Sequence, residues 1–207
     1  MGLLSDARNI REKDPAATSA VQVMLLYPGF HVLVFYRIGH WLYRHNRFFL
    51  ARMVSQWGRG CTGIEIHPGA TIGKRLFIDH GAGIVIGETA EIGDNVTIYH
   101  GVTLGGTGKQ TGKRHPTIGN NVLLGAGAKI LGPVVIGAGS RIGANCTVIE
   151  DVPPDSTAVG PLAVLVRQGG ERSSPSDELD QRNYPNILAQ RISGLEERLA
   201  RLERGEE

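Results

Sequence analysis

Three features of the 207-residue sequence predict an α+β solenoid. The expected order is an N-terminal helical segment, a left-handed parallel β-helix of hexapeptide repeats, and a C-terminal helical tail. The first feature is a lattice of branched aliphatics at six-residue spacing. It runs Ile66, Ile72, Ile78, Ile84, then Ile86, Ile92, Ile98, Leu104, then Ile118, Leu124, Ile130, Ile136, Ile142, Val148. Helices repeat every 3.6 residues and strands every 2, so a period of six fits neither and marks a solenoid of short sides and turns. The second is glycine directly after many lattice positions, as in Ile72-Gly73, Ile92-Gly93 and Ile136-Gly137. Asn95, Asn121 and Asn145 stand where a corner needs positive φ, which glycine and asparagine tolerate best. The third is the pair of interruptions. The lattice restarts between Ile84 and Ile86, and a loop from Gly105 to Thr117 separates Leu104 from Ile118. Stacked rungs stabilise a solenoid, so an ejected loop suggests function. This one holds four glycines, three cations and His115.

In chain order, residues 1–57 read as helical. Ala16 to Leu26 is one candidate, with Val21, Met24 and Leu25 on a face, ended by Pro28-Gly29. Phe30 to His45 is a second, with Val34, Ile38 and Trp41 at helical spacing. Arg47 to Gln56 is a third. These helices are expected to cap the open end of the prism, where the first rung would expose its aliphatics. The β-helix is expected over 58–165, and Pro153-Pro154 and Gly160-Pro161 break its regularity. Residues 166–207 then form a polar linker and a heptad-patterned tail through Leu188, Ile192, Leu195, Leu199 and Leu202. That tail could self-associate or lie on its own domain.

The formal net charge of +2 is too balanced to suggest nucleic acid, and no basic and aromatic stripe is present. Met1 to Lys13 lacks the apolar run of a signal peptide. The uncharged stretch from Pro15 to Tyr36 is broken by Pro28-Gly29, which favours two buried helices over a membrane span. Cys61 and Cys146 have no metal-site spacing and read as small apolar fillers, which fits a reducing cytosol.

Four stretches can carry chemistry: Glu65-Ile66-His67-Pro68, Asp79-His80, Lys113-Arg114-His115-Pro116, and Asp14-Pro15. Residues about 18 apart stack in a β-helix, so Glu65 and His80 are expected as neighbours on adjacent coils. A carboxylate beside an imidazole fixes its tautomer and raises its basicity, as a general base requires. His31, His45 and His100 read as solvent-facing or capping side chains, and His67 as a corner or a supporting partner. A zinc site from His67, His80, His100 and His115 was weighed against the spacing, which lacks a close histidine pair; no metal is expected.

Several strings together resemble the serine O-acetyltransferases. They are Asp14-Pro15, Gly29-Phe30-His31, Tyr36 to Trp41, Glu65 to Ala70, Ile78 to Gly81, Val85 to Ala90, Val102 to Lys109, Arg114-His115-Pro116 and Gly125 to Gly132. The resemblance spans about Asp14 to Pro161 in order. It implies transfer of acetyl from acetyl-CoA to the hydroxyl of L-serine in cysteine biosynthesis, by direct attack. It also implies roles. His80 would be the general base, oriented by Glu65, where many relatives carry Asp. Asp14 and Asp79 would hold the serine ammonium, and Arg114 the carboxylate. His115 would bind serine or stabilise the oxyanion. Acetyl-CoA would be held by Thr103, Gly105, Gly106, Gly108, Ala126, Lys129 and Ala144, with Lys129 towards a phosphate, in a groove between subunits of a cytoplasmic homotrimer. The family's docking to O-acetylserine sulfhydrylase uses a C-terminal isoleucine, whereas this sequence ends Arg204-Gly205-Glu206-Glu207. The competing readings are another hexapeptide acetyltransferase acting on a sugar or xenobiotic, and a non-catalytic scaffold subunit. Glu65, His80 and His115 together argue against the last.

Overall fold

Four helices pack over one end of a three-sided parallel solenoid in a computed structural model that describes residues 2–107 and 111–168. The helices are α1 (Leu3–Lys13), α2 (Ala20–Leu26), α3 (Pro28–Arg44) and α4 (Phe48–Thr62). The strands follow in coils of three: β1 (Glu65–Ile66), β2 (Thr71–Ile72), β3 (Phe77–Asp79); β4 (Val85–Ile86), β5 (Glu91–Ile92), β6 (Thr97–Tyr99); β7 (Thr103–Gly105), β8 (Thr117–Ile118), β9 (Leu123–Leu124); β10 (Lys129–Leu131), β11 (Val135–Ile136), β12 (Arg141–Ile142). β13 (Thr147–Val148), β14 (Ser156–Val159) and β15 (Val164–Gln168) close the end. Every third strand stacks in parallel. The first side is β1-β4-β7-β10-β13, the second β2-β5-β8-β11, and the third β3-β6-β9-β12-β14-β15.

The aliphatic lattice forms the interior. Ile66, Ile86, Leu104, Ile130 and Val148 stack along the first side. Ile72, Ile92, Ile118 and Ile136 line the second. Ile78, Ile98, Leu124, Ile142 and Ala158 line the third. Most are fully buried, and each buried large aliphatic contributes about 1.5–3 kcal/mol relative to exposure. Ile84 belongs to a second inward column with Ile64, Val102, Ala128 and Cys146, all buried. The first coil is therefore two residues longer than the second: Glu65 pairs with Val85, and Val85 with Thr103. The extra residues lie between Asp79 and Val85, at the corner that carries His80.

Two corners repeat in the left-handed backbone region. One column is Gly63, Gly83, Gly101, Gly127 and Asn145; the other is Arg75, Asn95, Asn121, Gly139 and Asp155. Their N–H groups bond to the coil before, as from Gly101 to Ala82 and from Asn121 to Asp94. The three corner asparagines thus do what the sequence suggested. The long loop leaves from the remaining corner, between the first and second sides.

The cap follows from the sequence and extends it. Proline opens α3 at its first turn, where its missing N–H costs nothing. Gly63 ends α4 with φ 71°, so the helical segment runs to Thr62 rather than 57. Val32 and Leu33 join the solenoid core. The Tyr36 hydroxyl donates to the Ala70 carbonyl and the Ser55 hydroxyl to that of Ile66. α1, which the sequence reading did not delimit, latches onto the second corner column. The Asn9 amide donates to the Arg75 carbonyl, and Lys13 Nζ to the Thr97 hydroxyl. Its Ala7 and Ile10 pack with Phe30 and Phe77. At the far end β15 turns back antiparallel to β14, a strand absent from the expected order. No single described helix is long and apolar enough to cross a membrane, and α2 and α3 are bent by 71°. The expected heptad tail lies outside the described residues. Cys146 is buried as expected, with burial pushing its thiol up to about 11. Cys61 is exposed on α4, against expectation.

Candidate active site

The predicted residues gather in two clusters at two corners of the prism. The first cluster is at the corner lengthened by two residues. There His80 takes φ 48°, a left-handed conformation costing about 1–3 kcal/mol outside glycine. It carries an imidazole whose side chain is 80% exposed. Its neighbouring carboxylate is Asp79, 3.6 Å from Nε2 to Oδ1, beyond hydrogen-bond distance. Asp14 joins them where α1 ends. Its Oδ1 accepts from the Ala16 N–H at 2.8 Å and its Oδ2 from the Tyr27 hydroxyl at 2.7 Å. Burial raises the Asp79 carboxyl, and Asp14 raises it further, while His80 and His100 oppose. The Asp14 hydrogen bond, burial and both aspartate charges push the Tyr27 phenol up to about 12. A carboxylate whose charge is disfavoured by a second carboxylate beside it makes a ready site for a cation.

The second cluster lies across the first side, at the corner that ejects the loop. Arg114 Nη2 donates to Glu88 Oε2 at 2.8 Å. Burial raises the Glu88 carboxyl, but Arg114, His67 and the Tyr43 hydroxyl outweigh it, and the net shift is down. His115 is buried against Gly87, whose Cβ, if present, would stand 1.9 Å from the ring. Thr89 grips this segment. Its hydroxyl oxygen accepts the N–H of Arg114 at 3.1 Å and of His115 at 3.2 Å. Nδ1 of His115 accepts the Thr89 N–H at 3.2 Å and lies 2.9 Å from the Thr89 hydroxyl. Burial, then the Arg114 charge, lowers the His115 pKa. His67 accepts the Gly69 N–H at its own corner and stacks edge-on against Tyr43, and burial lowers its pKa too.

Two predicted roles meet other partners. One coil above Glu65 stands Val85, not His80. The Glu65 carboxylate is held by Arg52 and Arg59, each at 2.9 Å. These arginines lie two turns apart on α4, one face of which overhangs β1. Lys129 Nζ donates to the carbonyls of Gly101 and Gly127 at 2.9 and 2.6 Å. It therefore braces the first corner column rather than projecting towards a phosphate. Of the other residues expected at acetyl-CoA, Thr103 pairs with Lys129 across the first side and Gly105 ends β7. Gly106 follows it in the loop. Asn145 bonds to the Ala126 carbonyl, which sets Ala126 and Ala144 at the first corner, one coil apart. Gly108 lies outside the described residues.

Sequence reasoning missed Tyr27, Glu88, Thr89 and Tyr43. Glu88 and Thr89 carried a legible signal, since β5 pairs with β8 across the loop insertion and this stacks residues 88–89 beneath 114–115. Among the described residues no three metal-binding side chains converge. A cavity of about 720 Å³ between α3 and the first coil is lined by Tyr36, Arg37, Trp41 and Lys74 and touches neither cluster. Beside the second cluster a cleft of about 430 Å³ includes Tyr43, His67 and Glu88.

Known proteins resemble this chain in sequence and fold. Residues 115–150 match the bacterial transferase hexapeptide (six repeats) family. A serine acetyltransferase of Mycobacterium tuberculosis is 50% identical over 198 residues, covering 96% of this chain and 85% of that protein. Soybean serine acetyltransferase complexed with serine superposes with a TM-score of 0.77 at 49% identity, covering 79% of this chain and 68% of that one. A serine acetyltransferase in complex with CoA gives 0.74 at 40% identity, over 79% and 67%. An identity of 50% across nearly the whole chain, on the same helix-capped solenoid, places this protein in the serine acetyltransferase family.

Proposed function

We propose that this chain transfers acetyl from acetyl-CoA to the hydroxyl of L-serine, releasing O-acetyl-L-serine and CoA. The observation that carries the chemistry is the Asp14–Asp79–His80 cluster, an exposed imidazole beside two carboxylates suited to an ammonium. His80 takes the serine hydroxyl proton as that oxygen attacks the thioester carbonyl. Asp14 and Asp79 hold the ammonium, and Arg114 holds the carboxylate. His115 donates a hydrogen bond to the tetrahedral oxyanion. Collapse expels the CoA sulfur, which takes the proton back from His80, so no covalent acyl-enzyme forms. Acetyl-CoA lies along the first side, over Thr103, Gly105, Gly106, Ala126 and Ala144. The positions of Arg52 and Arg59 favour Glu65 as an anchor of α4 on the first coil rather than the group that orients His80.

The active site is completed by a second copy of the chain. Among the described residues, the groups that shift Asp79 and those that shift His115 do not overlap. The two clusters are separated by one side of the prism, on the order of 15 Å at strand rise, too far for one serine to touch His80 and Arg114 together. A cyclic homotrimer brings the first corner of one chain to the loop-bearing corner of the next. The enzyme is assigned to the cytoplasm, in cysteine biosynthesis.

Following CoA thiol release with L-serine, homoserine and a galactoside in parallel tests the activity; serine must be the fastest acceptor. Mixing His80→Ala and Arg114→Ala chains tests the shared site. Each variant alone is inactive, and the mixture regains activity only if the two residues act across chains.

A further inference from the structure

We propose that Thr89 is a positioning residue: it fixes His115 as the neutral imidazole protonated at Nε2, so that His115 enters the reaction as a hydrogen-bond donor and not as a second base. The proposal rests on the reading that His115 faces the reacting carbonyl.

The hydrogen-bond inventory leaves one solution. The Thr89 backbone N–H lies 3.2 Å from Nδ1 and can only donate, so Nδ1 must be an acceptor and carries no proton. The Thr89 hydroxyl oxygen already accepts two backbone N–H groups, from Arg114 and His115. Both of its lone pairs are used, so its own hydrogen is free to point along the 2.9 Å approach to Nδ1. A neutral ring with Nδ1 unprotonated has its proton on Nε2. Among the described residues Nε2 has no hydrogen-bond partner, and it stands 3.2 Å from where a Cβ on Gly106 would lie. It is therefore directed at the glycine stretch of the loop, where the thioester is expected. Burial and the adjacent Arg114 also disfavour a protonated ring.

Thr89 ties three things together: its N–H sets the tautomer of His115, and its hydroxyl holds the ring's orientation and the backbone that presents Arg114. Serine can supply the hydroxyl equally well, and valine cannot. A second consequence is a division of labour. His80, exposed at its corner, is free to accept and return a proton, whereas His115 is locked into giving a hydrogen bond without giving the proton away.

The test is selective ¹⁵N labelling of histidine in the assembled enzyme, with the His115 signals assigned by their loss in His115→Gln. The wild-type ring should show a pyridine-like Nδ1 and a pyrrole-like Nε2. Thr89→Val keeps the backbone N–H and with it the tautomer, but frees the tilt of the ring, and should lower kcat by about 10–100-fold. The KM for acetyl-CoA should stay within about twofold and the acid limb of the kcat–pH profile should move up. Thr89→Ser should restore all of these. His115→Gln, which keeps an N–H donor, should retain more activity than His115→Ala. A proton on Nδ1 in the wild type overturns the proposal even if Thr89→Val does not fold. So does an unaltered kcat and pH profile in a folded Thr89→Val. Because the spectrum is read without turnover, a failure of the proposed acetyl transfer is distinguishable from a failure of the tautomer.

Discussion

Replacing Gly87 with alanine should disable the enzyme while leaving its fold intact. A Cβ at this position would stand 1.9 Å from Cδ2 and 2.1 Å from Nε2 of His115. Gly87 is not among the glycines with positive φ, so alanine strains no backbone and the clash falls on the ring alone. Restoring contact distance moves the imidazole by roughly 1.5 Å, and displacements of about 1 Å already cost about 100-fold in rate. The bonds from Thr89 to Nδ1, now 3.2 and 2.9 Å, would stretch past useful length. The expected result is a kcat lower by about 100-fold, or about 2.7 kcal/mol of transition-state stabilisation, with the KM for acetyl-CoA within about twofold. Gly60→Ala on α4 is the control, because nothing lies within 4 Å of its Cβ. It should keep full activity and gain up to about 1 kcal/mol of stability from helix propensity. The assay is CoA thiol release at saturating serine, beside thermal unfolding of both variants. If Gly87→Ala keeps more than about a fifth of the wild-type rate, the His115 ring is not where the reaction needs it.

Three further outcomes follow from the same geometry. Asp14→Asn should raise the KM for serine by about tenfold or more, since it removes one ammonium partner. In the same variant ultraviolet titration should show the Tyr27 phenol falling from about 12 towards 10; an unmoved phenol would separate Asp14 from this cluster. Ile98→Ala, at a fully buried position of the third side, should cost about 2–5 kcal/mol in denaturant unfolding, and a loss under about 1 kcal/mol would contradict close packing of the lattice. His115 is depressed in the fold, so its contribution to stability is present above its ordinary value of 6.5 and is lost as pH falls through the folded value. The wild type should therefore lose more Tm than His115→Asn between pH 7.5 and pH 5, and parallel losses would refute the shift.

The lattice was legible because its signal is repetition: five coils use the same interior positions, and one misread residue does not erase the pattern. Ile84 shows the limit. It sits six residues after Ile78, yet it faces inward in the second column, because the corner before it gained two residues. The extra length was visible as the lattice restart, but its meaning required the corner's backbone. α1 had apolar residues at Leu3, Leu4, Ala7 and Ile10, a helical face, but its role depends on docking against Arg75 and Thr97, far away in sequence. The reversal of β15 has no periodicity to announce it. Within the site, His80, Asp79, Asp14, Arg114 and His115 were readable by their strings, while the company they keep was not. Glu65 illustrates why. Its carboxylate is claimed by Arg52 and Arg59, whose i, i+7 spacing was in the sequence but whose target depends on how α4 lies over the first coil. Tyr27 gave no local signal at all, since only the bend between α2 and α3 brings its hydroxyl to Asp14.

The two columns of left-handed corners divide the tolerance of this scaffold unequally. At those vertices each coil is locked to the next by a backbone conformation that few side chains accept, and the departure seen there is limited to the two extra residues beside His80. The remaining vertex has no such repeating column, although Gly132 takes φ 94° there, and it accommodates the excursion between β7 and β8. New acceptor preferences can therefore be grafted at that single vertex, by lengthening or rewriting one segment, while the rest of the prism continues to fold unchanged.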